Sequence, residues 1–212
     1  MMVRGLDRGE RAALLISECQ QGMTVAEYRD QRDDLAREVA RRGIIPAIAA
    51  LAAAFRAQGL PVFHSHLAPR DDWSGFAVNC ALAAILKRTN VVRDGQPGSQ
   101  SHPGLVPAAG DHVIRRRTGM TSFHGTEIDS LMRNLGVDTV VVTGVSTNVA
   151  VYGTVLEAVN RGYNVVVPVD CVAGVGRGHQ YLLDDVYPLL ATLTDGSAVA
   201  EAVSAPSEES RV

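Results

Sequence analysis

Short continuous apolar stretches alternate along the chain with longer segments of mixed polarity. Ala12 to Ser17 reads Ala-Ala-Leu-Leu-Ile-Ser with no interleaved charge, the pattern of a strand covered on both faces. Further strands are predicted over Pro61 to Ser65, His112 to Ile114, Thr139 to Val142 and Asn164 to Val169, with a weak last one near Ala198 to Val203. Between them lie helical patterns. Asp33 to Gln58 is rich in Ala, Leu, Arg and Ile, with Pro46 starting a fresh helix and Gly59 ending it. Others are predicted over Phe76 to Leu86, Glu127 to Leu135, Thr147 to Asn160 and His179 to Leu190. Asp94 to Gly104, with its Gly, Pro and Ser residues, reads as a loop.

Strands and helices in strict alternation imply parallel strands joined by right-handed crossovers, with helices on both faces of one sheet. No composition break or internal repeat divides the chain. The prediction is one α/β domain over residues 1–204, followed by a polar, mobile tail over 205–212. In such sheets the functional crevice lies at the carboxyl ends of the strands. That singles out Glu18, Ser65, His66, Arg115 to Arg117, Gly144 to Asn148, and Asp170.

Composition narrows the classes. With 212 residues, 46% hydrophobic and 20% charged, the chain has material for a sizeable core. The net charge of −3 offers no basic field for nucleic acid or an anionic membrane, so neither is expected as a partner. The apolar run Ile44 to Phe55 is broken by Pro46 and is too short to span a bilayer. The first residues scatter their charges and hold no long apolar core, unlike a secretory signal. Three cysteines, Cys19, Cys80 and Cys171, read as reduced thiols in the cytoplasm, each expected to be a small buried hydrophobe.

Three segments carry a resemblance. They are ALLISECQQGM from Ala13 to Met23, RTGMTSFHGTEID from Arg117 to Asp129, and VVVTGVSTNVAVYGTVLEAVNRGYNVVVPVDC ending at Cys171. In this order they resemble the isochorismatase-like cysteine hydrolase superfamily, which includes nicotinamidases, N-carbamoylsarcosine amidohydrolases and isochorismatases. The resemblance implies a three-layer α/β/α, Rossmann-like fold with a six-stranded, mostly parallel sheet. It also implies a homodimer or homotetramer, and a non-prolyl cis peptide between Val145 and Ser146.

The resembling enzymes use an Asp, a Lys and a nucleophilic Cys at a helix N-terminus. Carried over by position, the Asp falls on Glu18, the Lys on Arg117 and the Cys on Ala150. All three are changed. Without a nucleophile at Ala150, the covalent acyl-enzyme route is closed. Arg117 stays protonated and cannot shuttle protons, but it can clamp a carboxylate bidentately. Two readings follow. In one, a hydrolase acts without a thiolate on a small anionic substrate, with Glu18 as acid or base and Arg117 as anion clamp. In the other, the chain is a silent relative that binds a small molecule or serves in assembly, with Glu18 and Arg117 paired across the old site. Substrate-binding positions implied with these are Gln20, His66, Phe123, Val145, Ser146 and Thr147, and no cofactor is called for. Ser146 and Thr147 read first as a helix N-cap.

His64 and His66 share one face of a strand end and are weak metal candidates, since spacing pins no third ligand. Gly174-Val-Gly176-Arg-Gly178 has the wrong spacing and place for a dinucleotide fingerprint and reads as a flexible loop. Alternation places Arg115 and Arg117 on one strand face and Arg116 on the other, with one arginine in the crevice. Trp73 and Phe76 are candidates for a lid over the pocket or for packing against a partner subunit.

Overall fold

The computed structural model describes residues 2–28 and 34–205. Its centre is a parallel sheet built from β1 (Ala12–Ser17), β2 (Val62–Leu67), β3 (His112–Arg116), β4 (Thr139–Val145), β5 (Asn164–Pro168), β6 (Val172–Ala173) and β7 (Thr192–Thr194). The strands run in the order β3-β2-β1-β4-β5-β7, with the two-residue β6 pairing to β4. All pairings are parallel. This is the expected parallel architecture: the strands return through helices, except that β5 reaches the short β6 through one tight turn, Val169–Cys171.

Alternation within the strands sorts the core into two layers. Leu14 and Ile16 of β1 and Val141 of β4 pack on one face with Ile48, Leu51 and Phe55. Those three belong to α3 (Ile44–Ala57), which lies beside α2 (Asp34–Arg42) and α8 (Gly196–Ser204). Ala13, Leu15, Val140 and Val142 face the other way, onto Ile128, Met132 and Val155. These come from α5 (Ile128–Asn134) and α6 (Tyr152–Asn160). The remaining helices are α1 (Gln21–Thr24), α4 (Ala81–Thr89) and α7 (Gly176–Tyr181).

Several boundaries differ from the sequence pattern. The segment Ala198 to Val203 is not a strand but lies inside α8, and the edge strand is Thr192–Thr194. Small Ala residues between Val199 and Val203 leave periodicity ambiguous, but these two valines stand one helical turn apart and Val199 is fully buried. The Asp33 to Gln58 pattern divides at Gly43, whose φ of 65° ends α2 and opens α3, so Pro46 sits inside the first turn of α3. After α7, the chain continues as a wide turn over Leu182–Val186 and a tight one over Tyr187–Leu189, where Pro188 supplies no N–H for a regular helix. The proposed tail lies outside the described residues apart from Ala205.

One glycine shapes the sheet's functional end. Gly144 pairs in register with Ser17 at φ 99°, and a Cβ there would stand 2.1 Å from the Ser17 carbonyl oxygen. Only a residue without a side chain lets β4 approach β1 so closely, which brings Glu18 and Ser146 to the same edge.

Candidate functional site

Glu18 follows the last residue of β1 and adopts φ 51°, a turn that ends the strand. Its N–H donates to the Ser65 carbonyl at 2.9 Å. Its side chain is nearly buried and meets Arg116, the last residue of β3. The Arg116 Nη2 donates to Glu18 Oε1, and Arg116 Nη1 donates to the Gly119 carbonyl at 2.5 Å. Only 1% of Arg116 is exposed, which makes this an ion pair inside the fold.

The predicted pairing of Glu18 with Arg117 is therefore not formed. Arg117 faces outward, donating to the Ala68 carbonyl at 2.8 Å and to Asp94 Oδ2 at 2.6 Å. Arg115 holds the other Asp94 oxygen at 2.5 Å. Partial burial opposes ionisation of Asp94, yet the bonds and charges of Arg117 and Arg115, with the Gly95 N–H, keep its carboxyl below the usual range. The alternation along β3 is as expected. Its sense is reversed: Ile114 and Arg116 face inward, while Val113, Arg115 and Arg117 face out.

Opposite Glu18, the chain leaves β4 through a cis peptide between Val145 and Ser146 and enters a wide, π-type turn, Thr147–Val151, that leads into α6. Ser146 makes no side-chain cap; its carbonyl accepts from the Val149 and Val151 N–H groups at 3.0 and 3.1 Å. Thr147 is fully buried and points away from the crevice. Its hydroxyl lies 2.9 Å from His179 Nδ1, and its carbonyl accepts from the Tyr187 hydroxyl at 2.6 Å. Ala150, where the resemblance places the sulfur nucleophile, presents a methyl group.

Glu18, Ser146, Val149 and Ala150 line one end of a cavity of about 190 Å³. Leu67, Met23, Leu35 and Met120 form its walls, and α4 covers it with Leu82, Ile85, Leu86 and Arg88. Trp73 and Phe76, the predicted lid, do not line it. They meet each other edge-on at 5.0 Å, and the Trp73 indole donates to Asn90 Oδ1 at 2.9 Å, closing the loop onto the end of α4. A helix was expected over Phe76 to Leu86 and forms over Ala81–Thr89, but its covering role was missed from sequence because its contribution is ordinary aliphatic residues. Its signal was their spacing: Leu82, Ile85 and Leu86 share one helix face.

Other predicted site residues lie elsewhere. Gln20 clamps backbone: its Nε2 donates to the Leu67 and Ser99 carbonyls at 2.9 and 3.0 Å, and its Oε1 accepts from the Leu67 N–H at 2.7 Å. His66 is buried against Ser101 Oγ at 3.1 Å, and burial, with the nearby His64 and Arg115 charges, lowers its pKa to about 4. His64 bonds Asp111 at 3.1 Å; burial lowers its pKa despite that carboxylate. Among the described residues, no group of three or more His, Cys, Asp or Glu is placed to hold a metal ion. Phe123 belongs to the opposite core layer, stacked on Tyr163 and under the Arg161 guanidinium. Val145 is fully buried in the first layer. Among the described residues no helix is long and apolar enough to cross a membrane.

The thiols are not alike. Cys19 and Cys171 are buried, whereas Cys80 is exposed just before α4, contrary to expectation. Burial, reinforced by Glu18, pushes the Cys19 thiol up to about 12, and burial with Asp170 raises Cys171 further. Neither is a thiolate at neutral pH, so neither is a ready nucleophile.

Comparison with known proteins places this geometry. The profile of the isochorismatase domain matches residues 12–198. The isochorismatase family protein YecD of Escherichia coli O157:H7 is 30% identical over 156 residues, which are 72% of this chain and 79% of that protein. The N-carbamoylsarcosine amidase of an Arthrobacter species is 28% identical over 149 residues, covering 68% of this chain and 56% of that enzyme. The solved isochorismatase family protein from Desulfovibrio vulgaris superposes with a TM-score of 0.77 at 27% identity, covering 93% of this chain and all of that one. With its parallel sheet and its crevice between β1 and the start of α6, the chain belongs to the isochorismatase family.

Proposed function

We propose that this chain binds a small molecule in the cavity under α4 and does not cleave amides through a thiolate. The observation that carries the reading is the pairing of Glu18 with Arg116 beside the methyl group of Ala150. A carboxylate held in a charge-assisted bond is committed to its partner, and among the described residues of the cavity wall none offers an activated nucleophile. Ser146 lines the wall, but no histidine lies among the lining residues to take its proton. The amidase named among the relatives suggests which reaction to test first.

The test is direct. Purified protein incubated with N-carbamoyl amino acids and simple aryl amides is expected to give no turnover above a heat-inactivated control. The triple variant Glu18→Asp, Arg116→Lys, Ala150→Cys is expected to gain measurable amide cleavage. Multiple turnovers by the unaltered chain would overturn the reading. A second reading rests on the place of Glu18 on the cavity wall: proton donation to a substrate, with water completing the hydrolysis. It predicts cleavage of vinyl ethers that vanishes in Glu18→Gln. It no longer includes Arg117 as a clamp, because that side chain is tied to Asp94 outside the cavity.

A further inference from the structure

Building on the proposed binding cavity, the geometry points to its ligand class. We propose an apolar molecule about one ring in size that carries a single anionic group, with Arg88 at the cavity rim recognising the anion.

Size comes first. An apolar protein cavity of about 150 Å³ is known to hold benzene. The space here, about 190 Å³, admits a ring with a short substituent and little more. The walls set the body of the ligand. Leu67, Leu82, Leu86, Met120, Val149 and Ala150 present hydrocarbon or thioether to it, so a polar body would leave hydrogen bonds unmade. Ala150 contributes here by being small: its methyl leaves open the space between Glu18 and the wall.

Charge sets the other end. Among the described residues, two that line the cavity are ionic, Glu18 and Arg88. The Glu18 carboxylate is matched by Arg116 behind it. Arg88 lies in the last turn of α4 and is exposed. Among the described residues it has no ion-pair partner. The adjacent Thr89 hydroxyl does not compete for an anion, since it already donates to the Ile85 and Leu86 carbonyls, and the other hydroxyls on the wall, Tyr28 and Ser146, carry no charge. Among the described residues the cavity thus carries one uncompensated positive charge at its mouth, with a mainly apolar interior beneath it. A carboxylate on a hydrocarbon body satisfies both, with the guanidinium able to bond it through two N–H groups.

Three probes of one shape separate these ideas: phenylacetate, its neutral isostere phenylacetamide, and the cation 2-phenylethylamine. Calorimetric titration of the intact chain at low salt is expected to rank them in that order, with phenylacetate roughly tenfold tighter than the amide. Arg88→Gln is expected to remove the difference between acid and amide. Ala150→Phe and, independently, Leu82→Trp fill the cavity and are expected to abolish binding of all three. Equal affinity for acid and amide, or a preference that survives Arg88→Gln, overturns the ligand class and leaves the cavity reading standing. Absence of saturable binding for every probe, or binding that survives both filling variants, overturns the two together.

Discussion

Glu18 and Arg116 meet with almost no solvent around them, and two large opposing effects decide what that contact is worth. Removing each charge from water costs several kcal/mol, and their mutual attraction returns most of it. A balance of that kind punishes the loss of one partner far more than the loss of both. Arg116→Met is expected to destabilise the fold by about 3–5 kcal/mol, measured by urea unfolding, while Glu18→Gln combined with Arg116→Met recovers most of the loss. Arg117→Ala serves as the contrast. Its pairs with Asp94 and Ala68 lie at the surface, so the expected change is below about 1 kcal/mol. The contrast also shows what was legible. That an arginine at the end of β3 would meet Glu18 could be read from sequence, but which arginine could not. Alternation defines two faces without saying which is inside, and β3 is an edge strand in which Val113 and Ile114 are equally plausible core residues. Motif spacing favoured Arg117; the burial of Ile114 decides for Arg116.

At the scale of elements, the site depends on how closely β1 and β4 end together and on what pins the turn after β4. Gly144 controls the first. Gly144→Ala would force a Cβ against the Ser17 carbonyl at a backbone angle that L residues rarely adopt, and the expected loss is about 3 kcal/mol. Thermal or urea unfolding measures it, and a variant as stable as the parent would show that β4 can move away freely. His179 and Tyr187 control the second, through their bonds to Thr147. Both were missed as contributors to the site because they act from behind it, His179 from α7 and Tyr187 from the turns that follow, where a helical pattern was read but nothing in it marks which side chains reach the turn after β4. The elements that were read well, β1, α5 and β4, are those whose apolar runs leave a single choice of period. The helix α8 was misread because alternating Ala and Val fits both periods, and only the tertiary environment of Val199 selects one.

For the molecule as a whole, burial of histidine ties stability to pH. His64, His66 and His179 are each almost fully buried, and burial holds all three below the ordinary imidazole value, to about 4 for His66 and His179. The unfolded chain binds protons on these residues near pH 6.5, whereas in the folded chain His66 and His179 do not until the pH nears 4, and His64 also takes its proton below the ordinary value. The unfolded state therefore holds more protons throughout that window, so stability is full above about pH 6.5 and falls as the pH drops toward 4. Asp111 extends the loss to lower pH: burial opposes its ionisation, but Arg56, the Ala108 N–H and His64 outweigh it and lower its pKa, so its contribution is lost only below about pH 3.8. Each histidine adds a slope of up to about 1.4 kcal/mol per pH unit. Urea midpoints measured from pH 7.5 to 5 are expected to fall steadily, and His66→Gln is expected to flatten the curve relative to its own value at pH 7.5. A midpoint constant across that range would mean that the buried imidazoles gain protons without cost, through openings of the layers that cover them. The site shares this dependence, because His66 lies beneath the loop that Gln20 clamps and His179 holds the turn that carries Ala150. Ligand affinity measured at pH 5 is accordingly expected to weaken along with stability.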